Sequence, residues 1–282
     1  VSNQTSGMKW HAEYVAVLNK NDSKLDLNSW VSVDNNSGTT FKNAKLKLVA
    51  GDVNLVRNQQ TRYSNMRKEM IYAVTDSAPQ FEEKEFFEYH IYNLQRPTTL
   101  SNNETKQISL FEATDVEANK RYFYTSGYSY GNSSNGKVSV IIEFENNKEN
   151  NLNIPMPKGK VRVYKSDGDA IEFIGEDLID HTSKEEKIKL KIGEAFDIVV
   201  NDIQTENKKI SNKVYEQEYE VTIKNKKDEN IIVDVEKALG LNWEILSSSI
   251  DFEKINSQKI LFKVPVKANA ETVLNYKIRY SN

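Results

Sequence analysis

Apolar and polar residues alternate with a period of two along most of this chain. In one such run Trp10, Ala12, Tyr14, Ala16 and Leu18 fall on one side, and mainly polar residues fall on the other. A period of two places successive side chains on opposite faces of a β-strand. Further runs of this kind lie at 138–144, 187–192, 219–224, 260–266 and 274–280. One polar face per strand is typical of antiparallel sheets with a solvated side, so the pattern predicts an all-β fold.

The spacing of these runs predicts two β-sandwich domains. The chain has 282 residues, a length that suits one large domain or two ordinary ones. We place a large β-sandwich-like domain at 1–182 and a second domain at 183–282, with the boundary in the polar stretch 180–186. From Lys187 onward about seven strand-like runs follow at short spacing, a pattern typical of an immunoglobulin-like β-sandwich. Trp243 is a candidate core residue of that second domain.

The segment 54–84 breaks the alternation. It is rich in Arg, Gln, Asn and Glu, and loops of this length are uncommon inside compact domains. It is therefore predicted to be a long polar loop, either a disordered insertion or a segment that contacts a partner.

Composition excludes several kinds of chemistry. The chain has no cysteine, which excludes disulfides, thiol nucleophiles and cysteine-ligated metal sites. Its formal net charge of −3 argues against nucleic-acid binding, which normally uses a basic face. No run approaches the ~20 apolar residues of a membrane-spanning helix. The chain starts at Val1 without a signal-like segment, so we expect it to be part of a longer, processed precursor.

A series of short blocks, in this order, resembles a known bacterial family. The blocks are Trp10–Tyr14, Leu25–Trp30, Asn35–Gly38, Phe41–Val53, Tyr92–Lys106, Lys158–Tyr164, Phe173–Asp177, Asp180–Thr182 and Gly193–Asp197. The chain resembles the bacterial domain-of-unknown-function family 4139, linked by name to mucoidy inhibitor A proteins, and is similar to its C-terminal domain portion. The resemblance covers nearly the whole chain and is densest in 8–200.

This resemblance implies an exported bacterial protein located in the periplasm, on the cell surface or outside the cell. The family has no established activity, so no catalytic residue can be carried over to this chain. Its members carry further N-terminal sequence before this domain. Strands lost with such a segment would leave a sheet edge that another segment could cover.

Motifs for catalysis are weak. Gly127–Gly131 matches the G-x-S-x-G pattern, which in hydrolases needs a strand, a strained turn and a helix. Here it lies between two strand-like runs, so a hairpin tip is the better interpretation. The three histidines His11, His90 and His181 do not form an H-E-x-x-H motif.

Two groups of residues are candidate binding sites. Tyr124, Tyr128 and Tyr130 crowd one predicted hairpin, where exposed rings could stack on a sugar or a protein partner; cross-strand aromatic pairs would explain them equally well. Asp177, Asp180 and His181 form the best polar cluster and could hold a cation. The alternative is a solvated turn between domains.

These observations favour a non-catalytic, exported envelope protein that binds or assembles with other macromolecules through strand edges or aromatic hairpins. The expected partners are other envelope proteins, the protein's own N-terminal segment or a second copy. No cofactor is predicted. The alternative is an envelope glycan or peptide hydrolase that uses paired carboxylates from different strands, a pair that leaves no sequence signature. A third possibility is a module stabilised by a cation at Asp177, Asp180 and His181.

Overall fold

The computed structural model describes residues 6–51, 80–86, 89–127, 134–168, 170–240 and 242–281. Within these ranges the fold is all-β and consistent with β-sandwich units, as the alternation predicts. The described residues include no helix that is long and apolar enough to cross a membrane. Most of the predicted polar loop 54–84, together with Tyr128 and Tyr130, lies outside the described residues.

The chain divides into two compact units. The first comprises Val1–Ala118 and Phe144–Leu190, and the second comprises Asn119–Glu143 and Lys191–Asn282. The chain crosses between the units three times, and the boundary predicted at 182/183 lies nearest to the third crossing, between Leu190 and Lys191. The alternation pattern gave no sign that Asn119–Glu143, far upstream in sequence, belongs with the C-terminal residues. Alternation shows which residues of a strand face inward, but it carries no information about which distant segment packs beside that strand.

The strands of unit 1 form one long sheet and two short ones. The long sheet has the order β11-β10-β1-β2-β8, and the short sheets pair β3 with β7 and β4 with β6 and β5. Strand bounds are β1 (Met8–Leu18), β2 (Lys24–Asn35), β3 (Phe41–Ala44), β4 (Lys47–Ala50), β5 (Phe81–Phe86), β6 (Tyr89–Leu94), β7 (Thr98–Leu100), β8 (Glu104–Ser126), β9 (Ser134–Glu145), β10 (Gly159–Ser166) and β11 (Ile171–Ile179).

Residues of alternate parity on these strands build the core of unit 1. Ala12, Tyr14, Ala16 and Leu18 of β1 are all buried, whereas the residues between them are half-buried. The Tyr14 hydroxyl donates a hydrogen bond to the carbonyl of Pro157 at 2.7 Å, which satisfies the one polar atom of this buried side chain. The predicted inward face of this first strand is therefore confirmed.

Unit 2 contains the last third of β8, most of β9 and, from Lys191 onward, most of β12 and the six later strands. Seven strands therefore begin at or after Lys187, the number expected from the sequence. Neighbouring strands follow the order β15-β18-β13-β12-β9-β8-β14-β17-β16. The bounds of the later strands are β12 (Lys187–Lys209), β13 (Val214–Asn225), β14 (Ile231–Ala238), β15 (Trp243–Ser248), β16 (Phe252–Asn256), β17 (Lys259–Val266) and β18 (Ala270–Ser281). The immunoglobulin-like assignment stays a prediction.

A buried asparagine ends one central strand in each unit and fixes the loop that follows. The Asn35 amide donates to the carbonyls of Thr39 and Ser101, at 2.8 and 3.0 Å. The Asn225 amide donates to the carbonyls of Glu229 and Lys267, also at 2.8 and 3.0 Å. In both cases the side-chain oxygen accepts a hydrogen bond from the backbone two residues ahead.

The strands paired with these asparagines extend the correspondence. Asn35 is the register partner of Glu104, and Asn225 is the register partner of Ala270. Each of those partners follows an asparagine with positive φ, Asn103 at 59° and Asn269 at 51°. The two units thus share one loop-anchoring device. In both units the loop after this asparagine connects two strands that do not pair with each other.

Replacing Asn225 with Ala should destabilise unit 2, because two backbone carbonyls and one backbone amide lose part-buried hydrogen bonds. A hydrogen bond contributes about 0.5–1.5 kcal/mol, so we expect the free energy of unfolding to fall by roughly 1–3 kcal/mol. Urea unfolding followed by circular dichroism measures the change. Asn207→Ala, at an exposed position of β12, is the control and should change stability by no more than about 0.5 kcal/mol. Equal losses in the two variants would contradict this role.

Candidate functional site

Of the three tyrosines in the predicted aromatic site, Tyr124 lies among the described residues, and its side chain is not exposed. Tyr124 is buried in β8, and its hydroxyl donates a hydrogen bond to Asp202 Oδ2 at 3.0 Å. Its neighbour Tyr122 is buried as well. Their rings belong to the core of unit 2, because the β8 residues of even number point inward there.

Asp177, Asp180 and His181, the predicted cation ligands, each form a hydrogen bond with a different neighbouring residue. Asp177 lies in β11, where its Oδ1 accepts a hydrogen bond from the amide of Leu178 at 2.8 Å. The ring nitrogen Nδ1 of His181 accepts one from the amide of Lys158 at 3.2 Å. Asp180 contributes its backbone carbonyl to Thr182. Across the described ranges, no three His, Asp or Glu side chains are arranged to hold a metal ion, so these residues are not brought together as one site.

Instead, a cluster of polar side chains lies inside the core of unit 2. Its charged members are Asp202 of β12 and Lys237 of β14, which are 4% and 0% exposed. Ser126 joins them, because its hydroxyl donates to Asp202 Oδ2 at 2.6 Å and accepts from Lys237 Nζ at 3.3 Å. A single hydroxyl therefore links a buried carboxylate and a buried amine.

Aromatic rings enclose the Lys237 amine. Its Nζ lies 3.8 Å from the centre of the Tyr219 ring, a short cation–π distance. Tyr219 is stacked on Tyr276, with ring centres 5.1 Å apart, and Tyr276 is stacked on Phe262 at 5.0 Å. The Lys237 amine also donates to the carbonyl of Gly127 at 3.4 Å. These contacts supply the partners that a buried charge requires.

Burial shifts the pKa values in this cluster. It lowers the pKa of Lys237 to about 8, against the opposing effect of the nearby Asp202 charge. It also raises the pKa of Tyr276 well above the usual value, although the hydrogen bond with Ser126 acts in the opposite direction. A serine hydroxyl beside an amine of lowered pKa is an arrangement used in nucleophilic catalysis. Here, however, both side chains are buried and out of reach of a substrate. We therefore interpret the arrangement as part of the core of unit 2.

A second arrangement of charges lies at a cleft of unit 2. The cleft encloses about 900 Å³ over strands β8, β14 and β17. On its buried side, Arg121 forms ion pairs with Asp234 at 2.6 Å and with Glu143 at 3.2 Å. Burial acts to lower the pKa of the Arg121 guanidinium, but these two carboxylates raise it overall. Arg121 therefore lies between two carboxylates and is ion-paired with both.

The outer part of the cleft combines basic and apolar side chains. Ile232 is 57% exposed, and it lies beside Pro265, its register partner on β17. Besides Arg121 and its two carboxylate partners, the charged residues that line the cleft are Lys120, Lys263, Lys267 and Glu229. Lys263 also forms an ion pair with Glu253 of β16 at 2.6 Å. With Glu253 included, three lysines stand against two glutamates, so the rim has a small positive balance. The cleft therefore offers apolar contact and attraction for acidic groups.

Comparison of the sequence with known protein families and with characterised proteins gave no match. The functional interpretation therefore depends on the geometry of the chain itself.

Asp202, Lys237 and Arg121 were not among the residues predicted from the sequence. The first two could have been found, because each is a charged residue at an inward position of an alternating strand. Asp202 continues the buried series Ile198 and Val200, and Lys237 continues the buried series Val233 and Val235. A charged residue at an inward position of an alternating strand must find a partner. Two such residues of opposite charge, on different strands, are therefore expected to lie close together in the core. Arg121 gave no comparable signal, because its carboxylate partners lie on strands that are distant in sequence.

The lowered pKa of Lys237 predicts that unit 2 becomes more stable as the pH rises from 8 to 9.5. In this window the unfolded chain, in which the lysine titrates near 10.4, binds more protons than the folded chain. The free energy of unfolding should rise by roughly 1–2 kcal/mol. Urea unfolding at several pH values measures this slope. Tyrosines of the unfolded chain, with a pKa near 10, begin to ionise at the top of the window and act in the opposite direction, so the comparison with a Lys237 variant isolates the contribution of the lysine.

Lys237→Met should remove most of this rise, whereas Lys208→Met, at an exposed position of β12, should retain it. A variant at Lys237 that keeps the full pH dependence would show that another group is responsible.

Proposed function

We propose that this chain is a non-catalytic binding module of an exported bacterial envelope protein, and that its unit-2 cleft receives a segment of a partner protein. The observation that carries this proposal is the state of the two carboxylates in the cleft. Asp234 and Glu143 are both buried, and both are ion-paired with Arg121.

This pairing favours binding over hydrolysis. A hydrolase with paired carboxylates needs one carboxylic acid that donates a proton and one carboxylate that acts as base or nucleophile. In this cleft both carboxylates are buried and ion-paired with the same Arg121 guanidinium, rather than placed as a separate acid and base on either side of a substrate. This geometry supports the binding interpretation over the hydrolase alternative at the cleft.

The rim of the cleft indicates the chemistry of the partner. Interfaces gain most of their energy from apolar contact at the centre, surrounded by polar groups. Ile232 and Pro265 supply the apolar part, and the lysines at 120, 263 and 267 surround it. A segment with an apolar side chain flanked by Asp or Glu fits this arrangement, because exposed opposite charges steer association.

The proposed envelope location rests on the resemblance to the domain-of-unknown-function family 4139, which implies an exported protein. Within that proposal the partner is another envelope protein. Fractionation of the native cells tests the location, since an envelope protein is recovered outside the cytoplasmic fraction.

Site-specific photocrosslinking in native cells tests binding at the cleft. A photoreactive amino acid replaces Ile232 in one strain and Ile255 in a control strain. These isoleucines are similarly exposed, at 57% and 51%, and both lie in unit 2, but only Ile232 lines the cleft. We expect a discrete crosslinked adduct with the probe at 232, absent at 255 and weakened when Lys263 and Lys267 are changed to Glu.

Two results would contradict the proposal. Equal labelling from both positions would indicate random collision, and no adduct from position 232 would show that the cleft is not occupied.

A further inference from the structure

We propose that the outer edge of β11 in unit 1 binds an extended segment of another protein in which apolar residues alternate with Lys or Arg, so that the segment adds a strand to the sheet. This surface is separate from the cleft of unit 2, and the inference stands independently of that site.

β11 has one open side within the described part of the chain. It is the first strand in the order of its sheet and pairs there with β10 alone. A strand at a sheet edge presents backbone N–H and C=O groups that can pair with another chain. Peptide recognition by strand addition uses these groups for affinity and the alternate side chains for specificity.

Three large apolar side chains of β11 are exposed. Ile171 is 60% exposed, Phe173 is 54% exposed and Leu178 is 73% exposed. Lysine and proline, which protect many natural edges, do not occur in the sequence of β11; its acidic residues would repel another acidic edge but not a basic strand. Phe173 packs edge-on against Tyr164 of β10, with ring centres 5.5 Å apart. Together these residues form an apolar shelf beside the open edge.

A bulge limits where a partner strand can pair. The register of β10 with β11 shifts between Val163 and Tyr164, which leaves Ile174 without a partner. Bulges interrupt regular pairing, so continuous addition is favoured along Gly175–Ile179. The apolar residues Ile171 and Phe173 then contact the end of the bound segment.

Charge on β11 identifies the kind of partner. The strand carries Glu172, Glu176 and Asp177 and no basic residue. Glu176 is 3.1 Å from Lys160 of the adjacent strand, whereas no ion pair involving Glu172 occurs among the described residues. Edge-to-edge pairing of two copies would place acidic strands side by side, which is unfavourable. A strand with basic residues would gain attraction at the same positions.

Titration with defined peptides tests this inference. The first probe is an octapeptide of alternating valine and lysine with blocked ends, labelled for fluorescence anisotropy. The second has glutamate in place of lysine. The third has the first sequence with N-methyl groups on alternate residues, which removes backbone donors while keeping the charge. We expect the first peptide to bind and the other two to bind at least about tenfold more weakly.

Variants of the full chain locate the site. Glu172→Lys combined with Asp177→Lys should weaken binding of the valine–lysine peptide by about tenfold or more. Glu112→Lys combined with Glu149→Lys makes the same change of charge at exposed positions of unit 1 outside β11, and should leave binding nearly unchanged. Circular dichroism confirms that each variant is folded.

Several results would overturn the inference. Equal binding of the N-methylated peptide would indicate charge attraction without strand addition. Equal loss in the two double variants would place the site elsewhere. No binding of the valine–lysine peptide would show that the edge is closed to it, and a dimer that depends on β11 would make a second copy the occupant.

Discussion

The buried pair of Asp202 and Lys237 is the constraint on which the core of unit 2 depends. Both side chains lie at inward positions of their strands. A strand would have to expose its whole inward face to bring its charged residue to solvent, so the two strands are held in one register relative to each other. Ser126 between them and the stacked rings of Tyr219 and Tyr276 complete the set of contacts. Removing one charge of such a pair leaves the other without compensation, and this is more costly than replacing both by apolar groups. The pair therefore specifies one arrangement of β8, β12 and β14.

The same logic applies at the surface of unit 2. Arg121 is ion-paired with both Asp234 and Glu143, so these three side chains fix the polar side of the cleft beneath its lysine-containing rim. Unit 1 offers a different kind of surface, the edge of β11, where backbone groups and apolar side chains are presented together. The two units share the asparagine-anchored loop but differ in what they expose.

Much of the fold followed from the sequence, while most of the site did not. The inward faces of β1, β13, β17 and β18 were predicted correctly, because alternation reports burial directly. The membership of Asn119–Glu143 in unit 2 was not, since parity along a strand carries no information about which distant strand lies beside it. For the same reason Tyr124 was expected at an exposed tip, although it lies on an inward face. Asp202 and Lys237 could have been found as charges at inward positions, whereas Arg121 and its partners become visible only when β8, β9 and β14 are brought together.

Light scattering of the protein purified from its native source tests whether it is bound to a partner. We expect a mass above the 32.4 kDa of the chain alone. The excess should come from a different protein and should be lost when the lysines of the cleft rim or the acidic residues of β11 are reversed in charge. A species of 32.4 kDa under native conditions, unchanged by either set of substitutions, would contradict the view of this protein as a binding module.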